Sequence, residues 1–287
     1  MTDALNTPQP PTRAYYSTGR MLGVEDFQAE QDYHRGRLAR ALLQLLGTGT
    51  VAGLLVQTDG NTDVTKLEIQ VTPGMAVDRV GRIIEVPRTV CIVLQNWLNQ
   101  YMLAWQAQQK GNSPGTTSIA DPNTAIHDGA HLMVDVFVTF VACTNGLTPT
   151  FATQDDYDAT DAFSPNRLLD SFAMQLVLRT DATHKTPLDP WASLGATPTA
   201  ATLRSAILSG TLGPSGPLAE YPPNFDTTAV FLARILVPAT AGTAGNPPTW
   251  TLTGFTAANN IDNLSRLFLI PPSIVARWNG LGSGTES

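Results

Sequence analysis

The sequence predicts an α+β fold: a β-rich mixed fold with an N-terminal amphipathic helix, short antiparallel strands and a second, aromatic-faced helix. Three observations carry this. Residues Val24–Leu46 repeat apolar side chains at helical spacing. Between Val51 and Leu94, short β-prone runs alternate with Gly, Pro, Asn and Asp. Further along, Leu132–Ala142, Leu168–Arg179 and Val230–Val237 are longer runs rich in β-branched and aromatic residues.

Residues 1–14 read as a flexible arm, since Pro8, Pro10 and Pro11 prevent regular structure. The first helix begins among acids (Glu25, Asp26, Glu30 and Asp32) and continues with Arg35, Arg37 and Arg40, the order that the helix dipole favours. Phe27, His34, Leu38, Leu42 and Leu45 form its stripe, and Gly47 and Gly49 stop it. Gly36 inside the helix suggests close approach of another backbone. Strand-like pieces follow at Val51–Gln57, Lys66–Val71, Met75–Asp78, Arg82–Val86 and Thr89–Leu94. Asp59-Gly60-Asn61 reads as a hairpin turn and Pro73-Gly74 as a type II corner, with positive φ at the glycine.

A second helix is expected from Gln95 to Lys110. Trp97, Tyr101 and Trp105 lie at i, i+4 and i+8, flanked by Leu94, Leu98 and Met102. So broad an apolar face has to be covered, by the chain's own sheet or by a neighbouring subunit. The strand Leu132–Ala142 alternates Val134, Val136, Val138 and Phe140 with Asp135, Phe137 and Thr139. Thr144–Pro165 reads as a loop, a short helix is expected at Thr199–Ser209, Thr249–Thr253 pairs with Val230–Val237, and a last short helix lies near Ser273–Trp278. The chain thus divides into an arm (1–14), a helix and β-corner module (15–94), a second β-rich region (95–279) and a flexible tail (280–287).

Composition narrows the partners. Of 287 residues only 14% are charged and the net charge is −7, which disfavours nucleic acid and anionic membranes. Low charge suits a surface covered by neighbours, or equally an ordinary β-rich domain with long polar loops. Only three of the 17 basic residues are lysines (Lys66, Lys110 and Lys185). Cys91 and Cys143 sit in apolar runs and read as buried thiols without a disulfide framework. No apolar run is long enough to span a bilayer, and nothing resembles a signal peptide, so synthesis in the cytoplasm is expected.

A search for reactive groups returns little. There is no Walker loop and no Gly-x-Ser-x-Gly elbow. His127 and His131 have metal-ligand spacing, but Gly129 between them argues against a shared helix face, and His131 reads as the start of a strand. His34 reads as a helix-face residue satisfied by a carboxylate, and His184 lies in a polar stretch. Asp155, Asp156, Asp158 and Asp161 lack the glycine and distal glutamate of a calcium loop. The sequence therefore predicts no catalytic residue, no metal site and no cofactor.

Tyr16-Ser-Thr-Gly-Arg-Met-Leu-Gly-Val-Glu-Asp-Phe-Gln-Ala-Glu-Gln-Asp-Tyr, Leu46-Gly-Thr-Gly-Thr-Val-Ala-Gly-Leu-Leu-Val and Val71-Thr-Pro-Gly-Met-Ala-Val-Asp-Arg-Val-Gly-Arg-Ile-Ile-Glu-Val together resemble a family of baseplate-associated structural proteins of phage-tail-like contractile injection systems. The resemblance covers residues 15–94, with weaker echoes at Arg167–Leu176 and Phe231–Ile235. Gly23 stands where that pattern carries a capping hydroxyl, and Leu46 where it carries a histidine. The resemblance implies a structural component in or around the baseplate, a homo-oligomer in contact with copies of itself and with other tail or baseplate subunits. Trp97, Tyr101, Trp105, Arg35, Arg37 and Arg40 are the candidate interface residues, with the N-terminal arm. A surface- or carbohydrate-binding module of such a particle is the alternative, with Trp191 and Trp250 as stacking platforms.

Overall fold

The computed structural model describes residues 12–110, 130–149, 163–180, 187, 199–209, 220–222, 225–241, 250–255 and 260–278. Its architecture is α+β and β-rich. Most of the N-terminal arm, the C-terminal tail, His127, His184, Trp191 and the aspartates at 155–161 lie outside these residues.

Helix α1 spans Val24–Leu46, as the periodicity predicts. At its start the Asp26 carboxylate accepts the Gly23 N–H at 3.0 Å, and Arg20 holds the same carboxylate at 2.8 Å. Glycine has no side chain to complete a reciprocal cap. At the far end Gly47, at φ +87°, donates its N–H to the Leu43 carbonyl at 3.0 Å.

Six short strands follow: β1 (Gly49–Gly53), β2 (Val56–Thr58), β3 (Glu68–Val71), β4 (Gly74–Val77), β5 (Ile83–Val86) and β6 (Val90–Val93). They form two antiparallel sheets, ordered β1-β4-β5 and β2-β3-β6. Residues expected to form one strand at Val51–Gln57 therefore belong to two sheets. The chain swivels at Leu54, which sits at φ +56° and whose carbonyl accepts from Arg266 Nη1 at 2.7 Å. The corner at Pro73-Gly74 also differs from expectation. The left-handed residue is Gly53 (φ +62°), the ladder partner of Gly74. Gly74 is required for closeness instead, because a Cβ there would lie 2.3 Å from the Ala52 carbonyl oxygen. Asp59-Gly60-Asn61 opens the connection of an antiparallel hairpin, β2 to β3, as expected, but the loop is longer than those three residues. Asp59, Asn61 and Asp63 each accept the N–H two residues on, a chain of Asx turns that carries residues 59–67 across the gap.

Helix α2 (Leu94–Gln109) follows β6 directly. Strands β7 (His131–Pro149) and β8 (Phe163–Leu178) pair from Val134↔Leu178 to Pro149↔Phe163. His131 opens β7, as expected. Both strands overrun the sequence expectation, and part of the anticipated loop Thr144–Pro165 is strand. Residues 142–148 and 166–170 are exposed, so no buried face imposes apolar alternation on the sequence there. After α3 (Ala200–Ser209) come β9 (Val230–Ala241), β10 (Trp250–Leu252), β11 (Ile261–Asp262) and α4 (Pro272–Trp278). The large sheet runs β10-β9-β7-β8, with β11 also on β9; β10 pairs at Ala239–Ala241, just beyond the stretch expected.

One apolar cluster joins the small sheets to the large one. It includes Leu54, Ile69, Ile84 and Val86 from the first part, Leu94, Leu98 and Met102 from α2, and Val134, Val136, Leu232 and Ile235 from the large sheet. Full burial of such a side chain contributes about 1.5–3 kcal/mol. The C-terminal segment fastens the join. Thr50 and residues 267–269 exchange two backbone hydrogen bonds of 2.8 Å, and the Asn263 amide bonds both the N–H and the carbonyl of Val56, at 3.0 and 2.8 Å.

Both cysteines are exposed, contrary to expectation. Cys91 points away from the core between half-buried neighbours on β6, and Cys143 lies on the ribbon of β7 and β8 where it has left the core.

Candidate interaction surface

The ion-paired carboxylates and guanidiniums of the interior are buried. Asp135 on β7 faces Arg234 directly across the ladder on β9. Its Oδ1 accepts from Arg234 Nε at 2.7 Å, and its Oδ2 from Arg234 Nη2 at 2.8 Å and Arg179 Nη1 at 2.7 Å. Arg179 also donates to the Glu220 carbonyl at 2.5 Å. On the other flank Asp262 lies opposite Arg234. Burial alone pushes the Asp262 carboxyl up. Hydrogen bonds from Ser265 and the Leu264 N–H, with Arg234 nearby, hold it below its usual range. The sequence pattern showed Asp135, Phe137 and Thr139 alternating with Val134, Val136 and Val138. Strand β7 is buried on both faces from Leu132 to Thr139. An arginine inside the apolar run Phe231–Leu236 was the available signal, because a buried guanidinium demands a carboxylate.

A second cluster locks the turn between β4 and β5. Asp78, fully buried, accepts the N–H groups of Val80 and Arg82 at 3.0 and 2.8 Å, and Arg82 Nε at 2.6 Å. Burial outweighs these donors and pushes its carboxyl up. Arg82 lies over the Phe140 ring at 4.9 Å. This rigid turn presents Gly81 to α1.

Arg79 pairs with Glu220 and donates to the Tyr221 hydroxyl at 3.0 Å. Tyr221 in turn donates to the Ala229 carbonyl at 2.5 Å and stacks on Phe137. Among the described residues Glu220 Oε2 has no hydrogen-bond partner, and Glu220 lines a cavity of about 10 Å³, the size of one water. Burial pushes the Tyr221 phenol up, with Arg79 opposing. A phenol raised in the fold contributes stability below its unfolded value of 10.0 that is lost as pH rises through its folded value. Tyr221→Phe is therefore expected to flatten the loss of melting temperature above pH 10, measured by circular dichroism; an unchanged alkaline slope would contradict this.

The sequence-predicted interface residues separate into three groups. Trp105 is buried with Leu94, Leu98 and Met102, so the buried stripe of α2 is mainly aliphatic. Trp97 and Tyr101 lie at its margin, half-buried against the core cluster. Trp97 Nε1 donates to the Leu176 carbonyl at 3.1 Å, capping the outer edge of β8. A groove of about 500 Å³ runs here between α2 and β8, lined in part by Asn96, Trp97, Met174 and Leu176. Arg35 and Arg37 are exposed and Arg40 is half-buried. Arg35 borders a smaller groove of about 130 Å³ with Leu38, Leu42, Ile83, Phe140 and Asp170. Trp250 is buried on β10, not displayed on a loop as a sugar platform requires.

Helix α1 stands apart. Of its 23 residues only Ala39 is buried, yet Val24 is 68%, Phe27 53%, Leu38 56% and Leu45 82% exposed. Its tightest contact with the body is backbone to backbone. A Cβ on Gly81 would lie 2.0 Å from the Ala39 carbonyl oxygen, so the close backbone approach to this helix falls at Ala39. His34 sits 3.5 Å from Glu30. Met21 and Leu22 extend the exposed apolar surface, and the ribbon adds Leu147, Leu168 and Leu169. Among the described residues, no three His, Cys, Asp or Glu side chains form a metal-binding group, and no helix is long and apolar enough to cross a membrane.

No protein-family model and no curated protein matches the chain. Among solved structures it is similar to a crystal structure of TssK, at 12% identity over 85% of this chain and 41% of that one, with a TM-score of 0.32. The chain spans about two fifths of the length of that TssK chain. A TM-score this low assigns no common fold.

Proposed function

We propose that the chain is a structural component of a contractile phage-tail-like particle, placed in or around the baseplate, which acts through subunit–subunit contacts. The observation that carries the reading is α1, a long helix that buries one residue and leaves an apolar face open. Isolated soluble proteins rarely leave contiguous apolar surface of this kind, and it marks contact sites. The ribbon of β7 and β8 supplies a second projecting surface. The sequence resemblance over residues 15–94 supplies the kind of assembly. In this reading the partners are copies of the chain and other tail or baseplate subunits, with no nucleic acid, no membrane insertion, no cofactor and no catalytic role. The protein is made in the bacterial cytoplasm and incorporated into the particle.

The test is to sediment particles from the producing bacterium and quantify their subunits by mass spectrometry. The chain is expected in fixed stoichiometry with the other baseplate subunits. Its absence from intact particles would overturn the proposal. The groove beside Trp97 favours a second reading, a carbohydrate- or surface-binding and fibre-attachment module of such a particle. Glycan-array binding by the free chain, abolished by Trp97→Ala, would select it.

A further inference from the structure

The exposed face of α1 has a finer pattern than an apolar stripe. Val24, Phe27, Gln31, His34, Leu38, Ala41 and Leu45 follow the alternating three- and four-residue spacing of a heptad seam, and all seven are exposed. The opposite face, with Ala29, Tyr33, Gly36, Ala39 and Leu43, is half-buried or buried against the rest of the chain. The helix is therefore docked on that face with its seam open, and Leu38 alone of the seam also borders the groove toward Ile83 and Phe140.

Charge says what covers the seam. Glu25, Asp26, Glu30 and Asp32 all fall in the first nine residues. Arg35, Arg37 and Arg40 fall in the remainder, which holds no acid. A parallel partner would set acid against acid and base against base. An antiparallel copy sets each acidic half against a basic one and opposes the helix dipoles.

We infer that α1 pairs with α1 of a second copy as an antiparallel two-stranded coiled coil about a two-fold axis. One register satisfies both seam and charge. Phe27 meets the partner's Leu38, Val24 meets the partner's Ala41, and Gln31 meets the partner's His34 in a polar central layer. The same register brings Glu30 beside the partner's Arg37, twice by symmetry. A two-fold contact of this kind closes on itself and needs no second surface. The polar central layer fixes the alignment at some cost in affinity, as buried polar pairs do in coiled coils. This inference rests on the proposal that the exposed faces are contact surfaces, and names the occupant of one of them.

The test uses the full chain carrying Cys91→Ser and Cys143→Ser, so that only introduced thiols report. Val24→Cys protein and Ala41→Cys protein are oxidised separately and as a mixture. The mixture is expected to cross-link several-fold more than either protein alone, with a dimer in sedimentation equilibrium. In the uncross-linked background Arg37→Glu is expected to raise the dimer dissociation constant at least about tenfold, and adding Glu30→Arg to restore it. Helical circular dichroism confirms that each variant is folded. Equal cross-linking of each single variant by itself would show a parallel pair and overturn the inference, as would a chain that stays monomeric at about 100 µM, well above the micromolar range of modest interfaces. A monomer that still enters particles would overturn the pairing alone. A dimer absent from particles would overturn the particle role alone.

Discussion

Asp135→Ala is expected to lower the unfolding free energy by about 3–5 kcal/mol, the cost of leaving buried charge unpaired. The substitution removes the carboxylate that Arg179 and Arg234 share, and Asp135 itself has no exposure. The cost is not a measure of the attraction between the charges, because most of the Coulombic gain offsets the desolvation of all three. Two variants separate these contributions. Arg179→Met or Arg234→Met alone leaves Asp135 with one partner and is expected to cost less. Replacing all three residues by apolar ones of similar volume is expected to recover much of the loss. Urea denaturation measures each variant, and a loss below about 1 kcal/mol for Asp135→Ala, the level of an exposed ion pair, would show that water reaches the triad.

Gly81→Val is expected to detach α1 more than it unfolds the body. The native φ of +86° is strained for any side chain, at about 1–2 kcal/mol, and worse for a β-branched one. The added Cβ also meets backbone: Ala39 O at 2.0 Å and Ala39 C at 2.6 Å. No side chain can rotate out of the way, so either the turn or the helix must move. The turn is pinned by Asp78 and by Arg82 against Phe140, whereas α1 buries only Ala39. The helix is thus the part that yields. Amide exchange across residues 33–43 should accelerate while β7 and β9 keep their protection. Unchanged exchange in α1 would show that its other contacts hold it, and acceleration throughout would show that the turn gave way first.

The sequence exposed those features that periodicity and punctuation encode. Helix α1 appears with its observed bounds, and α2 within one residue at each end, because stripe spacing and the flanking glycines mark them. Strand pairing was less legible. Val51–Gln57 looks continuous, yet Leu54 adopts a left-handed turn that leucine rarely takes, and the compensating grip of Arg266 comes from 212 residues away. The far end of the β7 and β8 ribbon has no buried face and so no alternation to detect. The aromatic stripe of α2 left open whether its own sheet or a neighbour covers it; the apolar cluster uses Leu94, Leu98 and Met102, with Trp97 and Tyr101 half-buried against it. For α1 the stripe was visible, but nothing in the sequence said that it points away from the body. That depends on Gly81 reaching Ala39 from the opposite side.

The central claim, that the open face of α1 is a subunit contact, is tested most directly by side-chain footprinting of the free chain and of the chain within purified particles. Phe27, Leu38 and Leu45 are expected to label readily in the free chain and to be protected several-fold in particles, while Lys66 and Leu264, exposed and remote from the seam in sequence, change little. Equal labelling of the α1 seam in both states would contradict the account.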